Sequence, residues 1–98
     1  MTLGVRRQIM GYDGQVMMVK VWFQKGAEGY MHEHFHSQCS YVASGKFQVT
    51  VNGKMKVLSG GDGFYVEPDQ LHGLICLEEG VVVDFFSPMR TDFLQTEA

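Results

Sequence analysis

The chain has 98 residues and a mass of 11.1 kDa, which is enough for one hydrophobic core and not for two. Apolar residues make up 45% and charged residues 19%, a globular composition that excludes a disordered chain. A net charge of −3 with no run of Lys or Arg argues against a nucleic-acid or anionic-membrane surface, and no apolar stretch approaches the roughly 20 residues of a membrane span.

In chain order, Val5 to Met10 reads as a first strand, so residues 1–10 form an N-terminal strand or arm, and Gly11-Tyr12-Asp13-Gly14 reads as a turn. Val16 to Phe23 follows as a largely buried strand ended by Lys25-Gly26. Phe47, Val49 and Val51 alternate with Gln48 and Thr50, the period of a half-buried strand. Asn52-Gly53 is a hairpin signal, and Met55 and Val57 resume the alternation on the returning strand. Phe64-Tyr65-Val66 precedes Pro68, and Leu71 to Leu77 and Val81 to Phe86 are two further runs. Residues 91–98 could form a short helical turn but read as a loose C-terminal tail. The rhythm predicts eight or nine short strands in a single all-β domain, residues 1–98, of barrel or sandwich type. No βαβ alternation occurs, which excludes a dinucleotide fold. So thin a core suggests a homodimer that buries one sheet edge. No apolar stretch of secretion-signal type follows the two arginines at the N-terminus. Cys39 and Cys76 make no disulfide framework, so they read as reduced thiols in a cytoplasmic protein.

The chemistry lies in the histidines. His32, His34 and His36 alternate within Gly29 to Gln38, and His72 follows the turn Pro68-Asp69-Gln70-Leu71. On a strand, His32 and His34 project from one face and can reach one ion at ~2.0–2.1 Å. His72 supplies a third nitrogen from a later strand. In an unbroken strand at about 3.3 Å per residue, His32 and Gln38 would lie roughly 20 Å apart. Gln38 therefore joins only if the chain bends between Phe35 and Ser37. His36 then sits at the bend, backing the ligands or facing solvent. Four imidazoles in this arrangement favour metal binding over solvated surface histidines. Asp84 is a second candidate, because Val81-Val82-Val83-Asp84-Phe85-Phe86 sets a carboxylate in an apolar run. Burial there would raise its pKa toward that of a useful general acid or base. Phe86, two residues on, shares its face. Tyr41, Gln48 and Tyr65 are weaker candidates for a cavity lining, and core packing explains the tyrosines equally well.

These residues resemble the cupins. The first cupin motif, G-x5-H-x-H-x3,4-E-x6-G, is met by Gly26, His32, His34, Gln38 and Gly45, with Gln in place of Glu. The second is met by Gly61-Asp62, Pro68 and His72, while its terminal Asn falls near Cys76. The resemblance implies a double-stranded β-helix, or jelly-roll, barrel. The segments VKVWFQKGA, HEHFHSQ and Val83 to Phe93 are similar to the small pectin-degradation cupins of the KdgF type. That likeness implies a divalent transition metal (Zn, Ni, Fe, Mn or Co) on His32, His34, Gln38 and His72. It also implies catalytic weight on Asp84, Phe86 and Arg90, which fill an Asp-x-Phe-x3-Arg segment. The expected activity is metal-dependent ring opening of 4,5-unsaturated uronates from pectin or alginate breakdown, with Arg90 gripping the carboxylate of an anionic sugar. Three neutral imidazoles and an amide leave the ion's +2 charge uncompensated, which suits such a substrate. A cupin dioxygenase and a non-catalytic sugar- or metabolite-binding module remain the alternatives.

Overall fold

The computed structural model describes residues 3–96, so the expected N-terminal arm and C-terminal tail each run two residues outside the described part. Seven strands and one short helix follow in order: β1 (Val5–Tyr12), β2 (Met17–Phe23), β3 (Glu28–His32), β4 (Ser37–Val51), β5 (Lys54–Ser59), β6 (Gly63–Val66), β7 (His72–Ser87) and α1 (Thr91–Thr96). Every strand pairing is antiparallel. The main path is β1-β2-β7-β4-β5, with β3 paired to β7 and β6 to β4. β2, the second half of β4 and the second half of β7 are β-branched and aromatic runs of the sequence.

Seven strands stand where eight or nine were expected, because two pairs of runs fuse. β4 joins Gln38–Ser44 to Phe47–Val51, and β7 joins His72–Leu77 to Val81–Phe86. Each of these long strands belongs to both halves of a jelly roll. The first half of β4 pairs with β6 and with the end of β7, and its second half pairs with β5 and the start of β7. The register slips between Val42 and Phe47, where the two strands bend past each other. Gly45 and Gly80 make that crossing possible. Gly45 has φ +86°, and a Cβ on it would stand 2.6 Å from the Glu79 carbonyl oxygen and the Gly80 Cα. No side chain fits there. At the far end of the hairpin, Asn52 (φ 51°) and Gly53 (φ 78°) turn β4 into β5 as their residue types demand.

Period 2 also sets the core. Met17, Val19, Val21 and Phe23 point inward from β2 and meet Val42, Phe47, Val49, Cys76, Val82 and Phe86. Tyr41 and Tyr65 point outward and stay about half exposed, at 48% and 52%. Gln48, between buried Phe47 and Val49 and paired with Val57 and Ile75, faces outward too. None of these three lines the cavity.

Residues 91–96 are not loose. They form α1, and Phe93 and Leu94 pack against the core. Six residues are too few to show a helical hydrophobic period, so tertiary packing rather than propensity holds this turn.

Candidate metal centre and active site

His32 closes β3, and the chain then leaves the sheet through residues 33–36 before entering β4 at Ser37. The expected bend is therefore present, and it brings Gln38 back beside His34. The face-sharing argument fails in detail, since His34 lies beyond the strand. Its place is fixed by a tether instead: the Asp69 N–H donates to the His34 carbonyl at 2.7 Å. That bond docks the Pro68–Gln70 turn, with φ +64° at Asp69, against the first ligand segment. His72 starts β7 directly opposite His32 in the β3–β7 register.

One ligand atom from each of His32, His34 and His72 lies within 4.8 Å of the others. Two nitrogens on one ion, each at ~2.1 Å, stand roughly 3–4 Å apart, so little contraction is needed. The tautomers are also set. Nδ1 of His32 donates to the Tyr30 carbonyl at 2.7 Å, Nδ1 of His34 to the His36 carbonyl at 3.1 Å, and Nδ1 of His72 to the Gln70 carbonyl at 2.9 Å. A carbonyl oxygen only accepts, so each Nε2 keeps a bare lone pair for the centre of the group. Gln38 Oε1 adds a fourth lone pair, 3.0 Å from His34 Nε2. Nε2 of His72 is buried without a hydrogen-bond partner among the described residues. Four acceptors converging with no donor among them is an unfavourable arrangement unless a cation joins it. The donor set fits a divalent transition ion.

Burial drives the acid–base balance the same way. It pushes His72 down to about 4, against the Gln70 carbonyl, with His32, His34 and Arg90 adding to the depression. Burial also lowers His34, although the Gln38 Oε1 beside its Nε2 would favour the protonated ring. Neutral imidazoles are the metal-binding form.

Gln38 links this group to Asp84. Its amide donates to Ser40 Oγ at 2.9 Å and lies 3.5 Å from Asp84 Oδ1, and the Ser40 hydroxyl donates to Asp84 Oδ1 at 2.6 Å. Gln38 and Ser40 share the inward face of β4, and β7 lays Asp84 opposite Ser40 and Phe86 opposite Gln38. Burial pushes the Asp84 carboxyl up to about 6, although the Ser40 hydroxyl and the Arg90 guanidinium both favour its ionised form. The period-2 signal could have found Ser40 once Gln38 was singled out.

Gln38, His32, His72, Asp84, Phe86 and Arg90 line one cavity of about 400 Å³, so six of the seven expected site residues face a common space. The seventh, His34, sets its Nε2 3.0 Å from Gln38 Oε1 at the cavity wall. Arg90, expected to grip a substrate carboxylate, already holds a carboxylate of the chain itself. Nε and Nη2 donate to the two carboxylate oxygens of Asp92 at 3.0 and 2.9 Å. Its guanidinium carbon lies 5.1 Å from the Phe86 ring centre and 4.3 Å from that of Phe93. Asp92 and Phe93, which also line the cavity, lie in the segment that carries the family likeness but were given no role there. His36 is buried rather than exposed. It stacks on Phe35 at 4.1 Å and stands outside the three-histidine group. Burial and Arg90 lower its pKa, and its Nδ1 has no partner among the described residues.

Comparison with known proteins identifies the family of this fold. The Cupin domain family matches residues 19–87. The "Pectin degradation protein KdgF" of Dickeya dadantii (strain 3937) is 44% identical over 93 residues, covering 93% of this chain and 84% of that protein. The solved structure of an RmlC-like cupin from Shewanella frigidimarina NCIMB 400 superposes with a TM-score of 0.91 at 52% identity, covering 92% of this chain and 81% of the other. The structure of KdgF from a Halomonas species gives 0.89 at 39% identity, covering 92% and 84%. A jelly roll that converges three imidazoles and a carboxamide, in a chain this similar to KdgF along nearly its whole length, belongs to the cupin domain family and to its KdgF-type members.

Proposed function

We propose that this protein opens the ring of 4,5-unsaturated uronate monosaccharides, the products of pectin and alginate cleavage, to give the linear keto acid. The observation that carries the reading is the placement of a protonatable carboxyl, Asp84, one hydroxyl away from the metal-ligating carboxamide of Gln38. A second support is the name of the relatives, which refers to pectin degradation.

His32, His34, Gln38 and His72 would hold a divalent transition ion. When bound, that ion supplies a Lewis-acidic positive charge that polarises substrate oxygens. Arg90 binds the substrate carboxylate, a charge-assisted contact at the cavity wall. Phe86 gives the site an apolar side that limits water. Asp84 moves the proton. In the ring-opening step the anomeric hydroxyl gives its proton to Asp84 and the bond from C1 to the ring oxygen breaks, leaving an aldehyde at C1 and an enolate over C4 and C5. Return of that proton from Asp84 to C4 converts the enolate to the ketone. No water is consumed, so substrate and product are isomers. A carboxyl that burial pushes above the ordinary carboxylate range is suited to give and take that proton. Asp84 Oδ1 is kept in place by Ser40. The absence of a membrane-crossing helix among the described residues and the two free cysteines fit action in the cytoplasm.

The test follows the loss of alkene absorbance when metal-loaded protein meets unsaturated galacturonate. Acceleration over buffer is expected, and its absence with metal bound would reject this substrate class.

A further inference from the structure

Arg90 offers a planar fork with two edges, and only one is occupied. Asp92 takes the side edge, Nε and Nη2, in a two-point pairing. Nη1 has no hydrogen-bond partner among the described residues, so the end edge, Nη1 with the second Nη2 proton, remains available. The side chain of Arg90 is only 11% exposed, against 58% for Asp92. Phe86 and Phe93, with ring centres 5.5 Å apart and nearly perpendicular, give the guanidinium two apolar surfaces to lie on. An arginine restrained by one carboxylate and two rings has lost most of its rotamer freedom before any ligand arrives.

We infer that Asp92 is a positioning residue: it holds Arg90 by the side edge so that the end edge receives the carboxylate of an anionic sugar in the cavity. This rests on the ring-opening reading, in which the substrate carries one carboxylate. It makes α1, whose first turn supplies Asp92 and Phe93, a built wall of the anion pocket. Asp92 does not compete for the ligand, because the two carboxylates use different edges of one fork. Its negative charge also leaves the Arg90–Asp92 pair neutral, so the alignment of the fork, more than the charge of this pair, selects the ligand.

The experiment uses metal-loaded protein and two stable sugars that differ in the C6 group, galacturonate and galactose, with binding measured by titration calorimetry. Wild type is expected to bind galacturonate at least about tenfold more tightly than galactose. Asp92→Ala should weaken galacturonate about tenfold and leave galactose unchanged, since an unrestrained Arg90 must be ordered by the ligand. Asp92→Asn, which keeps the shape and one acceptor, should fall between them and guards against misfolding of the alanine variant. With unsaturated galacturonate as substrate, the loss in Asp92→Asn should fall on KM more than on kcat. Tighter galacturonate binding in either variant would mean that Asp92 competes for Arg90, and unchanged binding would mean that it only caps the helix; each result overturns the inference. Equal affinity of wild type for the two sugars would overturn it as well. Selective galacturonate binding without turnover of the unsaturated sugar would support the pocket and reject the ring-opening reading alone.

Discussion

Asp84 sets burial against charge. Below the ordinary carboxylate pKa of about 3.8 the group is neutral in both the folded and unfolded chain. As pH rises, the unfolded chain ionises first, while the folded protein keeps its proton until about pH 6. Stability is therefore lost between about pH 4 and pH 6, by up to about 3 kcal/mol in the metal-free protein. Asp84→Asn cannot ionise and still accepts from Ser40. Urea unfolding of metal-free samples should show it gaining on wild type by up to that amount at pH 8 and matching it near pH 4. The same variant, loaded with metal, should lose about 10²–10⁴-fold in ring-opening rate with unchanged metal content by elemental analysis. His72→Ala tests the other half of the site. It removes a buried lone pair that has no other partner among the described residues, and metal affinity should fall more than about a hundredfold, read by competition with a chromogenic chelator. His32 was legible from its spacing, His34 and Gln38 from the family motif although His34 lies beyond the strand, and Asp84 from its apolar run. Ser40 was within reach of the period-2 pattern once Gln38 was chosen, whereas Asp92 acts through Arg90, a partnership that exists only in the folded chain.

At the level of elements, β4 and β7 do most of the positioning. Gln38 and Ser40 enter from the start of β4, His72 from the start of β7, and Asp84 and Phe86 from its end. The crossing at Gly45 and Gly80 sets how the two halves of each strand meet. Gly80→Ala would place a Cβ 2.7 Å from the Gly45 Cα, and it should destabilise the fold by about 2–4 kcal/mol, measured by chemical denaturation. Sequence punctuation misled here: a glycine between two apolar runs reads as the end of a strand, whereas here it lets one strand bend and continue. Helix α1 was missed for a different reason. Its hold on the barrel comes from Phe93 stacking with Arg90, Arg7 and Phe86, partners far from it in sequence or too close to show a period. Phe93→Ala should cost about 1–2 kcal/mol. Amide exchange should quicken in residues 91–96 before the strands respond.

At the scale of the whole molecule, a bound ion contributes to stability by mass action. At a free concentration a hundred times the dissociation constant the contribution is about 2.7 kcal/mol. In a domain of this size that raises Tm by roughly 10–20 °C, so a strong chelator should lower the calorimetric Tm by that amount and return of the metal should restore it. All-β architecture and the barrel were readable from strand rhythm and motif spacing, since period 2 and turn residues report directly on the backbone. The opposition of His32 and His72, which face each other across paired strands, also bears on assembly order. Their residues are separated by some forty positions of chain, so no short segment can pre-form the cage. Long-range pairing of this kind is slow to nucleate, and the full set of four donors assembles only when β3 and β7 pair. Cells starved of the ion would accumulate a folded, inactive apoprotein ready for rapid loading, and refolding rates in vitro should be indifferent to added metal.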